Sequence, residues 1–451
     1  MEQKNTLSIS ELSGRINAGQ TSSGQLVDTY LDRISSLSDQ GRRTYTCIYE
    51  DKARASARAQ DELLKAGIRL SPLAGIPLSI KDLFDVEGEE TLCGASVASP
   101  TGPAVHDAYV ISRLREAGAV LIGKTNMSPY ALSGVGRNLY HGTPGNPYDR
   151  TRIPGGSSSG AAVSVAEGMA AAAIGSDTGG SVRIPAALCG LVGFKPTQCR
   201  VPLTGVRPLS WSLDSVGPLA VSVDCCHVLD AIMAGERSSS LLPTSLRCLR
   251  LGVPNSQVLE NLDPQVARMF DDSLQNLSRQ GVQIVSLDFP EISAMTRLGG
   301  ISRIIGAEAF TVHRDQSEDI RAATEGPIGE RIAAGAEISA ADYLDVVRGR
   351  STLINSTIRT LQPVDAIAMP TVPILAPTLE SLEDESQFYA INKLLLQNTA
   401  IANFLNLCSI TLPASKGESL PRGFMLMALA GRDQALLSMA KAMENLLAVQ
   451  E

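Results

Sequence analysis

The chain has 451 residues, a formal net charge of −8 and a hydrophobic content of 44%. That length suits two or three average domains, yet no Gly/Ser or Pro tract, charge block or repeat marks a linker, so the chain reads as a single domain over 1–451. The acidic balance excludes nucleic acid as the main partner, because phosphate binding draws on clustered Lys and Arg, and no run of about 18 apolar residues points to a membrane span.

The opening MEQKNTLSIS has no apolar segment of the secretory kind, which predicts a cytoplasmic protein. Two helices are predicted within 7–39, the first capped by Ser8 or Ser10 with Glu11 in its opening turn. The second carries Leu26, Val27, Tyr30, Leu31 and Ile34 at helical spacing. A third, over 51–66, is rich in Ala and charge and reads as half exposed. Over 73–81 the pattern changes to alternation. Ile76, Leu78 and Ile80 share one face of a strand and Pro77, Ser79 and Lys81 the other, so Lys81 stands at a strand end. By itself that describes a lysine reaching solvent. A helix over 107–117 and a strand over 119–123 follow, an α/β signature, and then a long loop over 125–145.

The stretch 154–197 organises the rest. It holds two glycine-serine loops, Gly155-Gly156-Ser157-Ser158-Ser159-Gly160 and Gly179-Gly180-Ser181. Between them lie a small-residue helix at 161–166 and a buried strand at 170–175. Glycine permits backbone angles that other residues resist and leaves N–H groups bare. A serine in such a loop is a turn former or a nucleophile among backbone donors. Beyond it, 209–218 reads mostly as a structural loop in which Trp211 could line a pocket. A helix covers 222–233 and a polar surface loop 238–245. Strands follow at 249–253 and 282–287 around a helix over 263–280. The segment 292–361 is largely helical. Strands at 364–370, 409–413 and 424–429 precede a closing helix over 434–449.

The motifs GGSSSG, GSDTGGS-x-R-x-PA and CG-x-x-GFKPT within 154–197 resemble the amidase signature family, and SIKDLFDVEG around Lys81 is similar to its catalytic-lysine segment. The resemblance covers most of the chain and is weakest after about Gly235. Further matches are S-x-S-L-D-x-x-G-P at 210–218 and the strand end with Asp365, Pro370 and Thr371. The resemblance implies an α/β fold, a single large mixed sheet with helices on both faces, divided into N-terminal helices (1–66), a catalytic core (73–235) and the remainder (236–451). It implies a Ser-Ser-Lys triad: Ser181 as nucleophile, Ser157 after a cis Gly156–Ser157 peptide as the bridge, and Lys81 as the base. It places Thr178, Gly179, Gly180 and Ser181 as backbone donors to an oxyanion, and Tyr130, Ala131, Leu132 and Ser133 near substrate. Ser157 and Ser181 stand 24 positions apart, as in the family. Asp177, Arg183 and Ser158 read as supports of the loops. One departure is visible: where the family reads G-L-P-x-G-x-Q-L, this chain reads Leu420-Pro421-Arg422-Gly423-Phe424-Met425-Leu426, without the glutamine. The departure falls on the substrate pocket or its support.

This assembly suits amide hydrolysis, which needs a nucleophile, a base that later protonates the leaving nitrogen, and oxyanion donors. The expected activity is hydrolysis of a linear amide, rather than a peptide bond, to a carboxylate plus ammonia or an amine. The substrate is a small-molecule amide, and a homodimer is compatible with the sequence. Other readings stand beside it: the A subunit of a tRNA-dependent amidotransferase, a urea-type (biuret-like) hydrolase, and a silent scaffold. Gly156-Ser157-Ser158-Ser159-Gly160 is also formally a G-x-S-x-G elbow, but 146–154 is polar and unlike the strand that motif requires. Glycine loops can cradle phosphate, yet no G-K-[ST] follows. Eight cysteines without a C-x-x-C pair and only four histidines give no ligand spacing for a metal and predict reduced thiols. No cofactor is implied.

Overall fold

The computed structural model describes residues 7–95, 102–316, 327–414 and 420–448. Eleven strands form one sheet: β1 (Tyr45–Ile48), β2 (Pro77–Lys81), β3 (Val120–Thr125), β4 (Ala172–Ser176), β5 (Val192–Lys195), β6 (Val216–Ala220), β7 (Arg250–Pro254), β8 (Gln283–Leu287), β9 (Ala366–Pro370), β10 (Cys408–Pro413) and β11 (Gly423–Ala428). Their spatial order is β1-β3-β2-β4-β6-β5-β10-β11-β9-β7-β8. β2 runs parallel to β3 and β4, and β7 parallel to β8 and β9; the centre, β4 to β6 to β5 to β10 to β11 to β9, is antiparallel. The sheet is therefore mixed, an α/β architecture with helices packed around it, as expected.

The helices form where their ends are satisfied and one stripe is apolar. Ser8 and Glu11 make a reciprocal cap on helix Ile9–Asn17, and Ser22 with Gln25 repeats the device on Ser23–Ser36, which buries Leu26, Val27, Tyr30, Leu31 and Ile34. Helix Glu50–Lys65 buries only Ala53 and Ala57 and is otherwise largely open to water. The strands at 77–81 and 172–176 are buried at every position. Alternation along β2 therefore does not separate a wet face from a dry one. Helices cover both faces, and Ser79, on the Lys81 face, bonds Ser164 Oγ at 2.8 Å.

Several elements near the site lie outside the sequence expectations, among them helix Asp39–Thr44, helix Arg183–Leu188, β1, β5 and β6. β6 lies partly where a loop was expected, because Gly217 and Pro218 weaken any strand pattern. The reason for Gly217 is steric. A Cβ there would stand 2.0 Å from the Phe194 carbonyl oxygen of the neighbouring strand. All eight cysteines are free thiols, and no helix among the described residues is long and apolar enough to cross a membrane.

The β5–β6 contact yields a stability test. Gly217→Ala should lower the urea midpoint, with a loss of about 1–3 kcal/mol typical of overpacking. An unchanged midpoint would contradict this close pairing.

Candidate active site

Parallel pairing of β2 with β4 aligns Ile80 with Ile174 and brings the two C-terminal strand ends side by side. Lys81 ends one strand and Ser176 the other. The lysine is 0% exposed. Its Nζ donates to Ser157 Oγ at 2.7 Å and to Ser176 Oγ at 2.9 Å. Burial lowers its pKa to about 7, although the charges of Asp177 and Asp214 push it back up. A lysine that neither meets solvent nor pairs directly with a carboxylate is held near neutrality at physiological pH.

Ser157 is delivered by the first glycine-serine loop. The Gly156–Ser157 peptide is cis, as the resemblance implied. The loop is clamped from outside: Gly156 N–H donates to the Gly134 carbonyl at 2.8 Å, and Ser128 N–H to the Ser157 carbonyl at 3.0 Å. Helix Ser159–Ala166 starts immediately afterwards and lies close to its neighbours. A Cβ on Gly160 would come within 2.4 Å of the Thr44 carbonyl oxygen, and one on Gly175 within 2.7 Å of Ser158 Oγ. The small side chains of this helix thus bring the two loops together. Ser158 N–H donates to the Ser181 carbonyl at 3.2 Å, a direct tie between them, and its hydroxyl donates to the Ser176 carbonyl at 3.4 Å.

The second loop, 177–182, is held by a buried ion pair. The Asp177 carboxylate takes Arg183 Nε at 3.0 Å and Nη2 at 2.9 Å, and accepts from Val182 N–H at 3.1 Å. Both side chains are fully buried. Burial alone would raise the Asp177 carboxyl, but the Arg183 charge and hydrogen bonds outweigh it and hold the pKa at about 2. The loop's other face is fixed by residues more than 200 positions away. Thr399 Oγ1 donates to the Gly179 carbonyl at 2.6 Å, and Asn403 bonds Asp177 and Arg183. Gly180 has φ +139°. A Cβ on it would sit 2.2 Å from Thr399 Oγ1, so only glycine fits both the angle and the space. The N–H groups of Thr178, Gly179, Gly180 and Ser181 make no hydrogen bond to another described residue. Thr178 turns its own hydroxyl away, to Asp214 at 2.5 Å.

The expected relay is half made. The Lys81–Ser157 hydrogen bond is present, whereas Ser157 and Ser181 are not hydrogen-bonded to each other through their hydroxyls. Tyr130, Ala131, Leu132 and Ser133 are all buried beside the first loop; Tyr130 and Ala131 have φ of +53° and +61°. Ser133 spends its hydroxyl on Asn392 Oδ1 at 3.2 Å. Trp211 is 47% exposed, so it does not form a buried pocket wall. Met425, at the position of the missing glutamine, is fully buried, and its sulfur lies 3.5 Å from Arg183 Nη1. The departure from the family pattern therefore falls on the support of the loop.

Sequence reasoning missed Ser176, Thr399 and Asn403, and took 209–218 for a loop when it carries two struts. Asp214 accepts from the N–H groups of Leu209 and Ser210 and is raised to about 6 by burial. Ser215 Oγ donates to the Asp177 carbonyl at 2.9 Å. The quoted GSDTGGS motif already held Ser176; nothing local marks Thr399 or Asn403.

The sequence profile of the family described as Amidase matches residues 25–437. The chain is 31% identical to 2-amino-5-chloromuconic acid deaminase of Comamonas testosteroni, over 98% of this chain and 96% of the relative. It is 30% identical to the A subunit of glutamyl-tRNA(Gln) amidotransferase from Fusobacterium nucleatum, over 97% and 96% of the two chains. Among solved structures, the crystal structure of an amidase superposes with a TM-score of 0.88 at 32% identity, covering 97% of this chain and 99% of the other. The chain belongs to the amidase signature family, enzymes that act on C–N bonds.

Proposed function

We propose that this chain hydrolyses the C–N bond of a small linear carboxamide through an acyl-enzyme on Ser181. The observation that carries the reading is the wholly buried amine of Lys81 donating to Ser157 Oγ at 2.7 Å beside the Gly179-Gly180-Ser181 loop. In the proposed sequence, neutral Lys81 takes the Ser157 proton while Ser157 takes that of Ser181. Ser181 Oγ attacks the carbonyl carbon, and the oxyanion is held by the bare N–H groups of the 178–181 loop. The C–N bond then breaks as the proton held on Lys81 passes through Ser157 to the leaving nitrogen. Water, deprotonated by the same relay, releases the carboxylate and regenerates Ser181. The Ser157–Ser181 contact closes when substrate arrives, as catalytic hydrogen bonds often tighten only in the complex.

Similarity to an amidotransferase A subunit supports a second reading, in which glutamine is the amide and ammonia passes to a partner. Ammonia release from glutamine by the purified chain, alone and with a candidate partner, separates the two. A cytoplasmic location goes with either reading.

Mass spectrometry of a fluorophosphonate adduct should locate it on Ser181. Ser181→Ala should remove it, and Lys81→Ala should slow acylation about 10²–10⁴-fold, the usual contribution of a general base. An adduct on Ser157 or Ser158 would overturn the assignment. Because the base must be unprotonated, kcat/KM should rise as pH increases through about 7, the lowered pKa of Lys81; a flat profile from pH 5 to 9 would contradict it. Gly180→Ala, whose Cβ meets Thr399, should abolish turnover with an unchanged circular dichroism spectrum. Near-normal activity would place the oxyanion donors elsewhere.

A further inference from the structure

Beside the first serine loop lie two polar side chains that the chemistry above does not use. Tyr130 and His313 are buried, 5% and 1% exposed. Their rings meet edge to face with centroids 5.0 Å apart, yet no hydrogen bond joins them. Among the described residues, Tyr130 Oη and both ring nitrogens of His313 have no hydrogen-bond partner. Buried polar atoms are nearly always paired, so three unpaired ones in a single contact mark a place for a ligand.

The pair is tied to the catalytic elements by backbone. Ser128 N–H donates to the Ser157 carbonyl at 3.0 Å and Ala131 N–H to the Ser128 carbonyl at 2.9 Å, so Tyr130 lies in a turn anchored on the bridging serine. Tyr130 N–H donates to the Cys93 carbonyl at 3.0 Å, and Cys93 N–H to the Asp82 carbonyl at 2.8 Å, one residue beyond Lys81. Tyr130 and Ala131 hold φ of +53° and +61°, angles that a side chain resists and that persist where the surroundings impose them. His313 ends helix Gly300–His313, and the Ile301 side chain, near the start of that helix, would meet a Cβ on Gly179 at 2.8 Å. Twelve residues of helix rise about 18 Å. The helix thus runs from the oxyanion loop to the Tyr130 ring, and the pair meets the end of a substrate away from the reacting bond. It is also uncharged. Burial drives His313 down to about 4 and the Arg207 charge pushes the same way, while burial raises the Tyr130 hydroxyl. A neutral imidazole has one N–H and one bare nitrogen, and a phenol both gives and accepts a hydrogen. An amide, with a carbonyl and an N–H side by side, bonds the hydroxyl and the imidazole together in either tautomer. A carboxylate has no hydrogen for the bare nitrogen.

We propose that the substrate carries a second, uncharged amide at the far end of its acyl chain, and that Tyr130 and His313 receive it. The inference rests on the amidase reading and names the substrate class for it: linear dicarboxylic acids amidated at both ends. The two residues bind and orient; neither takes part in proton transfer.

The test compares kcat/KM for linear C4–C8 diamides with that for straight-chain primary monoamides and for half-amide acids of the same lengths. Wild type should prefer the best diamide over both counterparts by at least about tenfold, since a site built to hydrogen-bond a group rejects the analogue lacking it. That exceeds the roughly twofold advantage of two equivalent ends. Tyr130→Phe, which removes only the hydroxyl, should cut the diamide-to-monoamide ratio at least about fivefold, and His313→Leu should do the same. His313→Gln, which keeps a donor and an acceptor, should retain most of the ratio. Calorimetric binding of the same diamides to Ser181→Ala protein reads the subsite without turnover, and adding Tyr130→Phe should weaken it by a similar factor. No diamide preference, a preference for the half-amide acids, or a ratio indifferent to Tyr130→Phe overturns the proposal. Diamide binding that depends on Tyr130, in a protein that turns over no amide, upholds the subsite and overturns the amidase reading instead.

Discussion

The structure depends on the burial of one amine. Lys81 ends a strand covered on both faces, and its Nζ has two serine hydroxyls as its hydrogen-bond partners. Bringing a lysine from 10.5 to about 7 corresponds to on the order of 5 kcal/mol in favour of the neutral amine. The opposing pull of Asp177 and Asp214 is small enough for desolvation to win, because Asp177 is already committed to Arg183 and Asp214 is bound to Thr178 and two backbone N–H groups. Had either carboxylate contacted Nζ directly, the amine would stay charged and could not accept a proton.

The second constraint is the shape of the 177–182 loop. Its N–H groups can face a substrate only if the chain's own acceptors stay elsewhere. Asp177 takes Val182 N–H, and Thr399 occupies the Gly179 carbonyl. Arg183 spreads its donors over Asp177, Asn403 and the Thr399 carbonyl. Removing one partner of such a buried pair strands the other charge, a cost of about 3–5 kcal/mol. The loop is therefore rigid before any substrate binds, which is what an oxyanion site needs. Met425 adds a soft contact under Arg183 where the family pattern has an amide side chain, so this chain supports the same loop with different chemistry.

Much of this was legible in the sequence because the site is local. Lys81, Ser157 and Ser181 sit in long, specific motifs, and the small residues at 160–175 announce a helix and strand packed backbone to backbone. The strand ends were read to within a few residues where a short apolar run stops at a proline, as at 366–370 and 408–413. β5 and β6 were not, since glycine and proline interrupt them and their reason for being strands is the neighbour they approach, Phe194 against Gly217. Thr399 and Asn403 were invisible for a related reason: their role exists only in three dimensions, across more than 200 residues. The partition of 209–218 into loop and strut, with Asp214 and Ser215 bracing the second loop, also follows from contact and not from pattern.

The central claim is that burial makes Lys81 a base at neutral pH, and titration of the lysine amines by ¹⁵N-detected NMR tests it most directly. Lys195 is also lowered by burial, to about 8, so the Lys81 resonance should be assigned by its loss in Lys81→Met protein. The account predicts that this amine titrates near 7, with the surface lysines near their ordinary value of about 10.4. A Lys81 amine that remains protonated up to pH 10 would contradict the account.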